Sequence, residues 1–262
     1  MTDVADLLPV VARREPLVSA LHGSPAAKCD LVDALDVSRS TVDRAVRRLE
    51  AEGVVERRDG GYGLTLAGRL VFEEYRTLER RAAGVFEARD ALDALPADAD
   101  IEPAALVGAT TTVSDRTTPY RPGDRHLELV AEADSIDLLS TAVGPRYVEA
   151  VHDAVVEGGT RLRLGVAPGV AERLVAGHGD TVTDAVATGR AEIRELADPP
   201  AFSLATFDRG DDAVLGLLVY ADGGPRAYVE NDAPAAVAYG RDRFERHWAE
   251  AEPVATPAAT DG

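Results

Sequence analysis

Apolar positions recur with a helical period through the first third of the chain. Val4, Leu7, Leu8, Val11, Leu17 and Leu21 form one stripe across residues 3–22. Pro9 and Pro16 interrupt it, so a short first helix followed by a second from about Arg14 is one solution. His22-Gly-Ser-Pro25 breaks the pattern, and residues 26–36 resume it with Leu31, Val32 and Leu35. Asp36-Val37 reads as a turn. Ser38 is placed to accept a backbone N–H at the start of the next helix, and Gly53 to end it. In that helix Val42, Val46 and Leu49 share one face, and Ser40, Arg44 and Arg47 share the other.

The period then changes. Val54 to Leu66 holds two short strand-like pieces around Asp59-Gly60-Gly61, the signature of a β-hairpin. Thr65 can cap a further helix running from Leu66 to about Leu95, in which Val71, Leu78, Val85 and Leu92 recur every seven residues. Such a seam suits either dimerisation or packing within the chain. Neighbouring positions are too polar for a long coiled coil.

Two short helices, a turn and a hairpin in this order read as a winged helix-turn-helix over residues 1–65. An amphipathic helix with a solvated arginine face is the plainer alternative. The run "LVDALDVSRSTVDRAVRRLEAEGVVERRDGGYGLTLAG" resembles the winged helix-turn-helix of archaeal and bacterial transcriptional regulators. Its Ser-Arg-Ser-Thr-Val opening, Leu-Glu-x-x-Gly close and Leu-Thr-x-x-Gly wing end carry the likeness. On this reading Ser38 caps the recognition helix, while Ser40, Thr41, Arg44 and Arg47 face base edges. Arg39 and the wing residues Arg57 and Arg58 contact phosphate. The seam of Val71, Leu78, Val85 and Leu92 would pair two recognition helices on a pseudo-palindromic site.

Pro96-Ala-Asp-Ala-Asp-Ile-Glu-Pro103 has the composition of a linker, which places a boundary after the helix of residues 66–95. Residues 96–252 read as an α/β domain. Strands are expected at 135–141, 160–166, 191–196, 202–207, 214–220 and 226–230. Helices are expected at 144–157, at 169–188 with an interruption at Gly177-His-Gly179, and from Pro234 to Ala251 with Val237, Phe244 and Trp248 inward. Residues 253–262 read as a disordered tail. The fold class is therefore α+β / α/β: a winged helix, a long connecting helix and an α/β domain. The element order, with "EADSIDLLSTAVGPRY" and "VEGGTRLRLGVAPGV", resembles the C-terminal domain of archaeal regulators of the methanogenesis-regulatory type. That resemblance implies a non-catalytic, phospholipase-D-like half domain acting as a sensor.

Composition changes the picture of the environment more than of the fold. The chain has 262 residues and a formal net charge of −18, with 46 Asp and Glu against 28 Lys and Arg. Lys28 is its only lysine. An acidic, lysine-starved but normally apolar chain points to folding in molar salt, hence to a haloarchaeal source. Positive charge is concentrated early: residues 1–95 carry a net of −3 and residues 96–262 a net of −15. This favours nucleic-acid contact by the first domain and not by the second. Cys29, the single cysteine, excludes an intrachain disulfide and reads as a small buried residue. No apolar run approaches the ~18 residues of a membrane span and no signal peptide opens the chain, so a cytoplasmic location is expected.

The search for catalytic chemistry is negative. A phospholipase-D site needs a lysine two residues after its histidine, but Ala154 follows His152 at that spacing and residues 96–262 contain no lysine. The five histidines lack zinc-type partners, and neither a phosphate-cradling glycine loop nor Gly-x-Ser-x-Gly occurs. No enzyme activity, cofactor or metal is expected. If the second domain takes a small-molecule effector, Ser140, Thr141 and Arg146 stand at the carboxyl end of its first strand, where open α/β sheets bind ligands. Arg146 can hold a carboxylate or phosphate, or can simply be a surface arginine at a helix start. The expected partners are double-stranded DNA and a second copy of the chain. A protein-interaction adaptor that keeps an unused winged helix is the rival.

Overall fold

The structure, a computed structural model, describes residues 4–254. The chain separates into two compact units, Met1–Arg80 and Arg81–Gly262.

In the first unit the proline-broken stripe becomes two helices, α1 (Val4–Ala12) and α2 (Glu15–Gly23), with Pro16 in the first turn of α2, where no N–H is required. Next come α3 (Lys28–Leu35) and α4 (Arg39–Ala51). Asp36 makes the turn between them in the left-handed region at φ 50°, a conformation an aspartate tolerates better than most residues. The hairpin follows as β1 (Val55–Arg58) and β2 (Gly61–Leu64), in antiparallel register from Val55 opposite Leu64 to Arg58 opposite Gly61. Asp59 and Gly60 form its two-residue tip.

The helix α5 (Leu66–Glu87) begins where Thr65 accepts the Gly68 N–H at 2.8 Å. Thr65 Oγ1 also donates to the Gly53 carbonyl at 2.7 Å, tying the end of α4 to the end of the wing. A Cβ on Gly68 would run into the Val54 carbonyl, so the glycine of the Leu-Thr-x-x-Gly phrase is required by close backbone approach. The unit's core joins Val11, Val18, Leu31, Val42, Val46, Leu49, Val55 and Phe72.

The helix expected over 66–95 stops at Glu87, and a separate short turn, α6 (Arg89–Leu92), follows Ala88. The heptad seam is correspondingly divided. Val71 packs against the first unit's core and Leu92 against a core of the second, while Leu78 (57 %) and Val85 (36 %) stay exposed. Cys29 also departs from expectation, being exposed on α3 rather than buried.

The second unit is built on an eight-stranded mixed sheet. Its elements are β3 (Thr110–Val113), α7 (Arg121–Glu132), β4 (Ser135–Ser140), α8 (Pro145–Val156), β5 (Arg161–Val166), α9 (Pro168–Ala187), β6 (Ala191–Glu195), β7 (Ser203–Arg209), β8 (Asp212–Ala221), β9 (Gly224–Asn231), α10 (Pro234–Ala249) and β10 (Glu252–Pro253). The spatial order is β10-β6-β5-β4-β7-β8-β9-β3. β4, β5 and β6 run parallel through the crossover helices α8 and α9, and the other pairings are antiparallel.

Alternation along the strands supplies a core on each face. Ile136, Leu138, Ala205 and Phe207 face one side with residues of α7, α8 and α9. Leu139, Leu204, Leu215 and Leu217 face the other with Phe244 and Trp248 of α10. β3 and α7 were not anticipated from the sequence. At the far end, Pro253 pairs with Arg194 and the Val254 N–H donates to the Ile193 carbonyl of β6 at 3.2 Å, so the first two residues of the expected tail are part of the sheet edge. Its remaining residues, 255–262, lie outside the described residues.

Candidate nucleic-acid interface

The arrangement of α4 follows from its two faces. Val42, Val46 and Leu49 are fully buried, which fixes the helix against α1 and α3 and turns the opposite residues outward. Ser38 Oγ accepts the Thr41 N–H at 3.2 Å and lies 2.9 Å from both the Ser40 and the Thr41 hydroxyls. The first turn is therefore capped by a small hydroxyl cluster. Gly53, at φ 71°, sits in the left-handed conformation just past the helix end, where a residue with a Cβ would be strained.

Arg39, Ser40, Thr41, Arg44 and Arg47 are all exposed. Arg47 Nε donates to the Asp43 carbonyl at 3.2 Å, which lays that side chain back along its own helix. Arg48 is tied to Glu52 at 2.7 Å. Among the described residues Arg39 and Arg44 make no hydrogen bond or ion pair.

The wing residues differ from one another. The Arg57 guanidinium lies 5.8 Å from the centroid of the Tyr62 ring. Arg58 is engaged, donating to Glu56 Oε1 from Nε at 3.0 Å and from Nη2 at 2.8 Å, and to the Leu64 carbonyl at 2.9 Å. Arg57 is thus the better placed of the two to reach a phosphate.

The sequence reading missed a coupling that the structure brings together. Lys28 Nζ donates to Asp43 Oδ1 at 2.7 Å and sits 5.1 Å from the Tyr62 ring centroid. The lone lysine at the start of α3 thereby joins α4 to the β1–β2 hairpin. The hydrogen bond from Lys28 holds the Asp43 carboxyl below its ordinary range, with Arg39 and Arg47 adding to the effect. In return Asp43 raises the Lys28 ammonium. The single acidic residue among Arg39, Arg44 and Arg47 is thus neutralised by a partner 15 residues away. No spacing rule reveals such a pair; the only signal was the solitary lysine.

The candidate effector residues are scattered by comparison. Ser140 Oγ donates to the Ala142 carbonyl at 2.8 Å, and the Thr141 N–H donates to Ser203 Oγ at 3.0 Å. Arg146, well exposed, is held by Asp124 at 2.8 Å. Each of the three is thus engaged by a partner within the protein. No group of three or more His, Cys, Asp or Glu side chains that could hold a metal ion occurs among the described residues. No helix among them is long and apolar enough to cross a membrane.

Comparison with known proteins gives two family matches. Residues 119–250, just over half of the chain, match the family described as "Methanogenesis regulatory protein FilR1, middle domain". Residues 1–84 match the "HVO_A0261 N-terminal domain". A search of curated proteins gives no match. Among solved structures, TrmBL2, described as an archaeal chromatin protein with a novel mode of DNA binding, is 15 % identical. It covers 96 % of this chain and 100 % of its own, with a TM-score of 0.42. Nuc, a phospholipase D family member from Salmonella typhimurium, is 12 % identical over 55 % of this chain and 97 % of its own, with a TM-score of 0.41.

Proposed function

The chain belongs to the family of the FilR1 middle domain, named for a methanogenesis regulatory protein, and on that premise we propose that it is a sequence-specific DNA-binding transcriptional regulator. The observation that carries this reading is the outward face of α4. A capped first turn presents Ser40, Thr41, Arg44 and Arg47 together, with the apolar face of the same helix fully buried and a wing beside it. A helix of this kind enters a major groove with its N-terminal residues at the base edges. Arg44 and Arg47 read bases, and Arg39 and Arg57 hold phosphate. Arg58 stays within the wing.

With a net charge of −18, long-range attraction to DNA is weak, and molar salt removes most of the gain from counterion release. Binding therefore rests on groove fit and on two copies acting together. Leu78 and Val85, with Leu70 also half exposed (49 %), form the apolar strip of α5 left for a second copy. In that assembly the second unit is a non-enzymatic sensor. The same acidity favours the one rival worth keeping, a protein-interaction adaptor that does not touch DNA.

The test is a gel shift of the intact protein on its own promoter. A bidentate arginine–guanine contact is worth ~1–3 kcal/mol of discrimination, so Arg44→Ala with Arg47→Ala weakens specific binding by about 30-fold or more. Unchanged specific binding by that double variant sinks the assignment. For the second copy, Leu78→Glu should turn a dimer into a monomer in analytical ultracentrifugation at high salt. A wild-type protein that is already monomeric overturns the pairing.

A further inference from the structure

One apolar pocket, partly open to solvent, is not explained by the DNA-binding reading. Between the sheet and the crossover helices α8 and α9 lies a cavity of about 70 Å3. Leu138, Leu162 and Leu164 of the sheet, Val151 of α8, and Leu174 and Val182 of α9 wall it. The wall is almost wholly apolar, so water inside would find too few hydrogen-bond partners to be held. Polar side chains enter at only a few points, Ser140 at the end of β4, His152 on α8 and Thr181 on α9, while the Tyr147 ring lines the wall with its hydroxyl turned toward Gly123 of α7. Ser140 Oγ spends its proton on the Ala142 carbonyl and keeps acceptor capacity. The cavity also sits toward the carboxyl ends of the parallel strands, where open α/β sheets accept ligands.

A second observation concerns access. α9 is broken at His178, whose φ of −140° and ψ of 28° are not helical, and Gly177 and Gly179 flank the break. Leu174 lies before it and Val182 after it, so the two halves of α9 supply separate parts of the same wall. A Cβ on Gly177 would meet nothing within 4 Å, so packing does not demand a glycine there. Its backbone conformation does not require glycine either, so what Gly177 adds beside the break is backbone freedom. A wall hinged in its middle can swing and enlarge a cavity that is otherwise small for an organic molecule.

We infer that this cavity is the effector site of the second unit, and that it takes a small neutral amphiphile: an apolar body of a few carbons with one hydroxyl-type head at Ser140. The hinge at residues 177–179 admits it. The site differs from the group Ser140, Thr141 and Arg146, since only Ser140 lines the cavity and Arg146 is occupied by Asp124. The inference takes its regulatory meaning from the proposed regulator, but ligand binding is measured without DNA, so either idea can fail alone.

The experiment uses the full chain and phenol, 1-butanol and 1-hexanol as probes, followed by calorimetric titration and by thermal shift. A ligand bound only by the folded protein raises the transition temperature in a saturable way. At least one probe should bind saturably. Ala185→Leu or Val151→Phe, which fill the space, should lower that affinity at least about tenfold, corresponding to roughly 1.4 kcal/mol. Having two filling variants guards against one that fails to fold. Gly177→Ala should leave affinity close to wild type but slow association in stopped-flow mixing. No saturable binding of any probe, or equal binding by a folded filled variant, overturns the site. Unchanged association in Gly177→Ala overturns the hinge. A promoter gel shift without probe reports separately on the DNA-binding reading.

Discussion

On α4 the side chains of Arg39 and Arg44 make no hydrogen bond or ion pair among the described residues, whereas in the sheet unit Arg163 is fully committed. Arg163 holds Asp137 through Nε at 2.7 Å and Nη2 at 2.6 Å, reaches Glu245 at 2.8 Å, and lies 4.7 Å from the Phe244 ring centroid. Arg125 is similarly clamped to Glu230 and Glu128, Arg209 to Glu132, and Arg190 to the carbonyls of Val155 and Val156. The same residue type thus has two uses. In the sheet unit these arginines offset carboxylates and cap carbonyls, although the side chains of Arg116, Arg121, Arg161 and Arg173 are exposed and make no hydrogen bond or ion pair among the described residues. On α4 the side chains of Arg39 and Arg44 keep their donors free while Arg47 and Arg48 are partly engaged, and the carboxylate among Arg39, Arg44 and Arg47, that of Asp43, is taken up by Lys28. Neither total charge nor free arginine donors alone mark a nucleic-acid surface in so acidic a chain; α4 adds a capped first turn and a fully buried apolar face that turns its donors outward together.

The largest effect expected from pressing on this contrast is in stability. Phe207 is fully buried in the sheet core, and Phe207→Ala should cost ~3–5 kcal/mol. Calorimetry of the full chain should show the loss, while promoter binding at 25 °C, below the transition, stays unchanged. A parallel loss of DNA affinity there would mean that the two units do not divide the work.

Acid is the next lever. His126 on α7 is buried among the rings of Tyr147, Phe207 and Tyr228, and burial pushes its pKa down to about 4. The folded state therefore holds this imidazole neutral, whereas the unfolded chain protonates it below about 6.5. Its contribution is intact above pH 6.5, is lost progressively as the pH falls to about 4, and amounts to roughly 3 kcal/mol at the bottom of that window. In His126→Phe the Tm should fall less steeply between pH 6.5 and 4. An identical slope in the variant would refute the assignment to His126.

The smallest effect compares two arginines directly. Arg39→Ala removes one phosphate contact and should lower the salt slope of DNA binding by about one unit. Arg163→Ala should leave that slope untouched while reducing the Tm. If both variants change the slope equally, the free donors of α4 are not part of what marks the interface.

Local chemistry made most of the first unit legible in the sequence. Ser38, Val42, Val46, Leu49, Gly53 and Thr65 act within one or two helical turns, through caps, periodicity and backbone conformation, and those interactions are written in neighbouring residues. The break of α9 at Gly177-His178-Gly179 was legible for the same reason. The parallel crossovers around β4, β5 and β6 could be read as strand, helix, strand. Membership of the FilR1 middle-domain family agrees with the resemblance drawn from the order of those elements.

What tertiary structure decided involves residues far apart in the chain. Pairing β9 with β3 joins residues more than 110 positions apart, and four residues of threonine and valine carry too little periodicity to announce an edge strand. The seven-residue seam could not say which of its members face a core. Val71 and Leu92 were claimed by two different cores, leaving Leu78 and Val85 outside, because burial depends on what lies opposite and not on spacing. Cys29 is exposed for the same reason. Lys28 meets Asp43 and Tyr62 only because α3, α4 and the wing fold onto one another. In the first unit the sequence by itself determined which segments are helix, turn and hairpin and where most of them begin. The fold determined which arginines keep their donors free, since a side chain's partners are set by whatever long-range packing places beside it.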